Sequence, residues 1–596
     1  MCGIFGIVTE REQELGPILI EAGKRLSYRG YDSVGFATVD ASQTVDLRKD
    51  VGKVGDVAGG HGVAGMAGLR GMTQLRWATF GAPSQANAQP HLDSTGDMVG
   101  AHNGNVVNNV ELRAQFMAEG MAVRSTNDGE SCVHAVERHL RKGLSTQEAV
   151  RRACADLEGD YAFVIGRKNE DCLYAVKMGS GLVAGLGEGF TCIGSDLPCL
   201  LPLTRKIVRL RDGEMVILRG GGIEVRRIAD GTLVDRPAQD VEETMEAAQK
   251  GGYPHFMLKE IHEQPKVAQD LLHLLGASKH MKRFVDRLKG ARNLYFVGCG
   301  TSYHACVLGS VYLARLAGKA AVPVLAPQFT AQYVPALGPG DVGVFVSQSG
   351  ETKDVLGALE AARAKGATVL GLANVLGSSL MHASDVYLPL ACGFEISVPA
   401  TKTFTNQCVA FLALALRAAG KDLTVLDALP SLIEATLGAV DGPVKELAPT
   451  LTGRNDLYCL GYGLTYAIAL EGALKIKEVT YTHCEGMLST EFKHGPLSAV
   501  DEGFPILFVA GPEDVPLMVS GINETACRGA RTVVIAQEDP RLRANARGVL
   551  VLPPSDPLLA PILGVIPLQL LSYRLSVARG HDPDFPRNLS KTLTVD

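Results

Sequence analysis

Leu294-Tyr295-Phe296-Val297-Gly298-Cys299-Gly300-Thr301-Ser302-Tyr303 decides the fold of the larger part of the chain. An apolar run stops at glycine, small hydroxyl residues follow, and a long apolar stretch with helical character begins; that order predicts strand, tight turn, helix. The pattern returns 163 residues later as Leu457-Tyr458-Cys459-Leu460-Gly461-Tyr462-Gly463-Leu464-Thr465-Tyr466. At the same offset Phe345-Val346 meets Phe508-Val509 and Val386 meets Val549, while Pro389 meets Pro553 at an offset of 164. Matches recurring in one order predict a duplicated α/β unit. Within the first copy, residues 342–346, 369–372 and 386–390 read as further strands. Strands alternating with helices of this length predict a parallel, doubly wound sheet.

The turns of this half carry hydroxyls. Gly298-x-Gly300-x-x-Tyr303 lacks the third glycine of a dinucleotide fingerprint, and no G-x-x-x-x-G-K-[ST] loop is present. Thr301, Ser302, Ser347, Ser349 and Thr352 instead follow the strands, together with Gln348. Hydroxyls and backbone N–H groups at a helix start suit a phosphate monoester. Either loop alone reads equally as an ordinary helix cap; two in one unit favour phosphate. In the second copy Glu471, Lys475 and Glu478 fall at i, i+4 and i+7. That spacing describes a solvated ion-pair ladder, or a proton shuttle if the apolar surroundings at 467–474 half-bury it. Glu491-Phe492-Lys493-His494-Gly495-Pro496 adds an imidazole in a loop, and Lys591 lies in a Pro-rich tail.

Upstream, residues 238–251 are polar and acidic and end in Gly-Gly, the composition of a connector. The ~230 residues before it are short β-type runs broken by Gly and Asn. Cys2 follows a methionine that its small side chain allows to be removed, which would place a thiol and a free α-amine on one residue. Cys2 alone reads equally as a buried cysteine of a first strand. Three other segments add chemistry. Arg76-Trp77 holds the only tryptophan, His102-Asn103-Gly104 offers oxyanion-hole donor types, and Asn127-Asp128-Gly129-Glu130 offers carboxylates. An arginine for a carboxylate and an aspartate for an ammonium is the partner set an amino acid needs.

The totals exclude several classes. The 596 residues suggest about four domain-sized units at roughly 150 residues each. Hydrophobic residues at 46% permit several cores, and a net charge of −6 excludes a polyanion binder that works by bulk basicity. The longest uncharged apolar stretch, 557–573, contains three prolines and falls short of the ~20 residues of a membrane span. Thirteen scattered cysteines without a C-x-x-C pair argue against a disulfide framework or zinc ribbon. These features predict a cytoplasmic protein that binds neither nucleic acid nor membrane.

Cys2-Gly3-Ile4-Phe5-Gly6, Tyr28-Arg29-Gly30-Tyr31-Asp32-Ser33, Arg76-Trp77-Ala78-Thr79 and His102-Asn103-Gly104 together resemble class II glutamine amidotransferases. With Gly298–Ser302, Ser347–Thr352, 469–475, 493–496 and the tail, the whole chain resembles the isomerizing glutamine–fructose-6-phosphate aminotransferase family. The resemblance implies an α+β N-terminal-nucleophile domain in four αββα layers over 2–238 and a linker over 239–264. Two α/β doubly wound sugar isomerase domains over 265–430 and 431–585 and a catalytic tail over 586–596 complete it. It implies a glutaminase with Cys2 as nucleophile, Asn103 and Gly104 on the oxyanion, and Arg76, Trp77, Thr79 and Asp128 on glutamine. Fructose 6-phosphate would be held by Thr301, Ser302, Ser347, Gln348, Ser349, Thr352 and Val398. His494, given by the other subunit of a homodimer, would open the ring and Lys591 would form the imine. Ammonia would pass a channel gated by Trp77, and Glu478 with Lys475 would move the proton, giving glucosamine 6-phosphate for amino-sugar synthesis. No metal or redox cofactor is implied.

The chain departs from the family at Phe80 and Gln89, where histidines are usual, at Ala400, where a hydroxyl is usual, and at Thr490, where glycine is usual. Those departures keep a paralogue acting on another sugar phosphate as an alternative. A phosphoribosyl-amine synthase would need a pyrophosphate-sugar loop with tandem acidic residues, and an asparagine synthetase an S-G-G-x-D-S loop; the sequence contains neither. A sugar-phosphate sensor would carry a helix-turn-helix in place of the β-rich Cys2 region.

Overall fold

A computed structural model describes residues 2–27, 29–30, 32–78, 81–241, 250–276, 278–375 and 378–591. Met1, Thr79 and Phe80 lie outside the described residues, as do 242–249 of the connector and the last five residues of the tail. The chain divides into two compact units, Met1–Ala248 with Ser590–Asp596, and Gln249–Leu589.

The first unit stacks two antiparallel sheets. One has the order 239–240, 206–209, 183–186, 190–194, 3–14, 67–76, 33–39, 45–51; the other runs 233–234, 222–227, 214–219, 172–178, 159–167, 98–106, 91–92. Alternation along single strands explains the stacking, because successive side chains point to opposite faces. In Gly159–Arg167, Ala162 and Val164 enter the core between the sheets with Ile4, Val8, Val99 and Ile193. Tyr161, Phe163 and Ile165 enter a second core with Phe116, Val133, Val136 and Val150 of the helices Asn109–Ala118, Gly129–Leu140 and Thr146–Asp156. The helix Gly16–Leu26 packs on the outer side of the other sheet, against Gly3–Glu14 and Ala67–Arg76. The layers are therefore α, β, β, α. The stretch 239–264 holds the short strand Gln239–Asp240, paired with Lys206–Arg209, and the start of the helix Phe256–Gly276.

In the second unit each copy forms a five-stranded parallel sheet with strand order 2-1-3-4-5. The first runs 322–325, 294–298, 342–347, 368–373, 386–389 and the second 483–488, 456–461, 505–509, 531–537, 548–552. The 163-residue offset governs register as well as sequence. Tyr295 faces Val322 and Gly343, and Tyr458 faces Glu485 and Ile506; Gly343 faces Val369, and Ile506 faces Thr532. It slips by one residue at the last strand, where Leu370 faces Val386 but Val533 faces Gly548. Val386 thus corresponds in register to Gly548 and not to Val549, and Pro553 lies beyond its strand.

The two copies share one continuous core, which holds Phe296, Leu308, Phe411, Leu457, Ile468, Leu563 and Leu571. In each copy the first helix uses a glycine at the same offset to approach the last one. A Cβ on Gly309 would lie 2.4 Å from Phe411, and one on Gly472 would lie 2.4 Å from Leu568. The apolar stretch near 557–573 forms the helix Ala560–Ala578, whose length and apolar composition would allow a membrane span. Of its most apolar window 89% is buried inside the protein, as in a core helix.

Candidate active sites

Strand pairing builds the site of the first unit. Gly3 faces Leu75 across the sheet, so Cys2 meets the end of the strand that delivers Arg76 and Trp77. The Trp77 N–H donates to Cys2 Sγ at 3.3 Å, and the Asp32 carboxylate fixes that bend by accepting the Ala78 N–H at 2.8 Å. Cys2 is buried, and burial pushes its thiol up, with the Trp77 backbone hydrogen bond and Arg76 opposing. Arg29 Nε donates to Cys2 O at 3.2 Å while its guanidinium pairs with Asp196 at 3.3 Å. Burial lowers the pKa of Arg76, and Cys2, Asp128 and Asp32 counter it, so these groups share one field. Arg76 donates to Gly81 O at 2.6 Å.

On the facing sheet, the strand Met98–Val106 carries Asn103 and Gly104. Asn103 Nδ2 donates to Ser195 Oγ at 2.7 Å. Gly104 sits at φ +109°, and a Cβ there would lie 2.1 Å from Asp160 O, so only glycine fits. Asp128 is 1% exposed; its carboxylate accepts the Val106 N–H at 3.1 Å and lies 4.0 Å from His102 Nε2. Burial lowers His102, which is therefore a neutral imidazole at pH 7.

The loop after Gly81 is stitched down by side chains. Buried Gln89 accepts the His102 N–H at 2.7 Å and donates to His102 O at 3.1 Å, so the departure at this position fastens the oxyanion strand. Asn87 accepts the Thr126 N–H at 2.8 Å. Lys49 Nζ donates to Ala88 O at 2.5 Å and Pro90 O at 3.1 Å, and burial pulls its pKa down to about 8.

In the second unit the strand order reverses between Leu294–Gly298 and Val342–Ser347, the switch point where open α/β sheets bind ligands. Both hydroxyl loops lie at the carboxyl ends of these strands and lead into the helices Gly300–Ala317 and Lys353–Ala364. Ser347 Oγ lies 2.9 Å from Thr352 Oγ1 and accepts the Gly350 N–H at 3.0 Å. Ser349 Oγ accepts the Glu351 N–H at 3.1 Å, and Ser302 Oγ accepts from Gln407 at 2.9 Å. Neither Cys299 nor Thr352 caps its helix with a side-chain hydrogen bond, so these hydroxyls are not ordinary caps. Gln348 lies half-buried beside them. Val398 is buried, and its N–H donates to Asp584 O at 2.9 Å.

Glu471 and Lys475 are buried and Glu478 is half-buried, so this face is not a solvated ladder. Lys475 Nζ lies 2.5 Å from Glu478 Oε2 and 3.4 Å from Glu471 Oε1, and it donates to Thr301 Oγ1 at 3.1 Å. Glu471 also accepts from Thr301 at 3.0 Å and pairs with His304 Nδ1 at 2.8 Å. Burial would lower Lys475, but the two carboxylates outweigh it and hold its pKa up. Burial raises Glu478, helped by Glu471 and opposed by Lys475. Such a carboxylate is tuned toward proton transfer. His494 ends the short turn Phe492–His494 and is exposed. Lys591 is half-buried and falls with the first unit.

Sequence reasoning missed Ser195, Asp196, His304 and Asn87. Their partners lie tens to hundreds of positions away, and no local spacing marks them.

Comparison with known proteins identifies the domains that carry these residues. The glutamine amidotransferase domain family matches residues 75–201, and the SIS domain family matches 287–417 and 450–579. The glutamine–fructose-6-phosphate aminotransferase (isomerizing) of Pyrobaculum aerophilum is 41% identical over 100% of both chains. That of Thermococcus kodakarensis is 39% identical, again over 100% of both. The solved C-terminal domain of the glucosamine-fructose-6-phosphate aminotransferase from Francisella tularensis covers 56% of this chain and 99% of its own, with a TM-score of 0.52 and 31% identity.

Proposed function

The chain belongs to the isomerizing glutamine–fructose-6-phosphate aminotransferase family, and from that premise we propose how its own residues divide the reaction. The enzyme converts fructose 6-phosphate and glutamine to glucosamine 6-phosphate and glutamate, a step toward amino sugars.

Cys2 attacks the glutamine side-chain amide, the C–N bond breaks to release ammonia, and the γ-glutamyl thioester left on the sulfur is hydrolysed by water to glutamate. Asn103 and the backbone at Gly104 stabilise the tetrahedral oxyanion. Arg76 takes the substrate carboxylate and Asp128 its ammonium, a division supported by the shared field of these buried charges around Cys2. Trp77 lies against the sulfur, and Thr79 is assigned to glutamine by family resemblance alone.

In the second unit Ser302, Ser347, Gln348, Ser349, Thr352 and Thr301 take the sugar phosphate, with Val398 beside them. By family resemblance alone, His494 opens the ring, Lys591, which groups with the first unit, forms an imine with the C2 ketone, and ammonia displaces the lysine. Glu478 then takes a proton from C1 and returns it to C2. Lys475 holds that carboxylate in place. The observation that carries this assignment is the Lys475 ammonium, bonded to Glu478, which carries out the proton transfer, and to Thr301 of the phosphate loop. An exposed His494 supports a homodimer in which each subunit lends its imidazole to the other.

A panel of ketose and aldose phosphates supplied with glutamine and scored for amino-sugar product tests the substrate. Product from fructose 6-phosphate alone is expected; preference for another hexose phosphate would overturn the assignment. Cys2→Ala should abolish glutamine-dependent product while isomerisation of fructose 6-phosphate persists. Borohydride trapping with fructose 6-phosphate should label the peptide of Lys591.

A further inference from the structure

Ser195 follows the strand Phe190–Gly194 and touches both halves of the glutamine site. Its Oγ accepts the Ile4 N–H at 2.7 Å and the Asn103 Nδ2 amide at 2.7 Å, and Ile4 O lies 3.3 Å away as acceptor for the hydroxyl proton. We propose that Ser195 is a positioning residue for glutamine hydrolysis, which orients the Asn103 carboxamide so that its second N–H meets the oxyanion formed at Cys2. The proposal rests on the assignment of Cys2 and Asn103 given above.

A hydroxyl has one proton and two lone pairs. At Ser195 the proton has Ile4 O and one lone pair has Ile4 N–H, so what remains for Asn103 is an acceptor. An acceptor selects the NH2 end of a carboxamide and rejects its oxygen. Among the described residues Asn103 Oδ1 is buried without a hydrogen-bond partner, and Ser195 is the side-chain partner of its Nδ2. Were the amide reversed, its oxygen would face the developing negative charge and repel it. Ser195 also sets distance, because it is anchored to Ile4, two residues from the nucleophile, through both Oγ and the Ser195 N–H to Ile4 O bond of 2.9 Å. The adjacent Asp196 holds Arg29, which in turn donates to Cys2 O. One dipeptide therefore refers the nucleophile and the oxyanion donor to a common frame. Ser195 and Asn103 are both buried, so water does not compete for the bond.

A full-length Ser195→Ala variant tests this. Removing an oxyanion donor costs about 10²–10³ in kcat, so losing only its orientation should lower glutamine kcat by about 10- to 100-fold. KM should stay within about two-fold, since the interaction serves the transition state. Glutamate γ-semialdehyde adds the Cys2 thiol to its carbonyl to give a tetrahedral adduct; its affinity should fall by the same factor as kcat, while that of glutamate stays. Ser195→Thr, which keeps the hydroxyl, should recover most of the rate, and Ser195→Ala with Asn103→Ala should be no slower than Asn103→Ala. A merely structural serine would weaken aldehyde and glutamate alike, or its loss would multiply with that of Asn103; either result overturns the proposal. Should Ser195→Ala fail to fold, Ser195→Cys, a poorer acceptor of similar size, gives the same comparison. Unchanged kcat in Asn103→Ala would overturn the site assignment itself, whereas a loss in Asn103→Ala not shared by Ser195→Ala overturns only the role of Ser195.

Discussion

Lys475 and Glu478 are one turn apart on a helix, and the ammonium lies 2.5 Å from the carboxylate with the lysine 1% exposed. The same ammonium answers Glu471, so one cation serves a buried and a half-buried carboxylate. This arrangement ties the acid–base group to the stability of the unit.

Replacing the cation separates those roles. Lys475→Met leaves Glu471 and Glu478 without it, a change that costs about 3–5 kcal/mol when one partner of a buried pair is removed. Burial, no longer opposed by the lysine, then raises Glu478 further above its unfolded value, so the variant binds more protons folded than unfolded. Its deficit in thermal stability should therefore shrink as pH falls, while isomerase activity stays lost; a deficit that grows at low pH contradicts the assignment. Glu471→Gln should instead move the acid limb of the isomerase pH profile downward, because it removes the like charge that helps raise Glu478.

Lys49 makes the glutamine loop sensitive to base. Its pKa of about 8 means that it carries three N–H donors for the loop carbonyls below pH 8 and loses one above it. Glutamine KM should rise between pH 8 and 9, and Lys49→Met should show the raised KM at neutral pH. A KM flat across that interval in the wild type counts against the fastening.

Gly104→Ala forces a Cβ to within 2.1 Å of Asp160 O at a φ of +109°. Glutamine hydrolysis should fall by about 10²-fold or more, the scale of losing an oxyanion donor. Isomerisation of fructose 6-phosphate assayed on the same preparation should remain.

Ser347→Ala removes the partner of both Thr352 Oγ1 and the Gly350 N–H. The KM for fructose 6-phosphate should rise by about ten-fold, the worth of one hydrogen bond to a charged group. Glutaminase activity without sugar should not change.

Much of the fold was legible because both structural periods are written locally. The alternation in 159–167 and the apolar runs ending at Gly298 and Gly461 mark strands whatever their partners. Pairing is not local: Gly3–Glu14 lies between Phe190–Gly194 and Ala67–Arg76, and no residue in it names either neighbour. The slip at the last strand has the same cause, since Val386 and Val549 match in type while hydrogen bonding aligns Val386 with Gly548. In the sites, Lys475 and Glu478 are visible as an i, i+3 pair. Thr301 and His304, which complete the cluster from 170 and 167 positions away, are not. Burial of Glu471 and Lys475 against the other copy's helix lies outside any window of sequence.

The repeated register has a consequence for how the second unit could arise. Two equal folds joined in one chain present two switch points; the first carries Thr301, Ser302, Ser347, Ser349 and Thr352, while the second, Gly461-Tyr462-Gly463-Leu464-Thr465 and Ala510-Gly511-Pro512-Glu513-Asp514, has Thr465 as its one serine or threonine. A symmetric pair of identical subunits would have to keep every functional side chain twice. Here the first helix of the second copy, Tyr466–Thr480, carries Glu471, Lys475 and Glu478 instead, so two equal folds hold unequal sets of side chains.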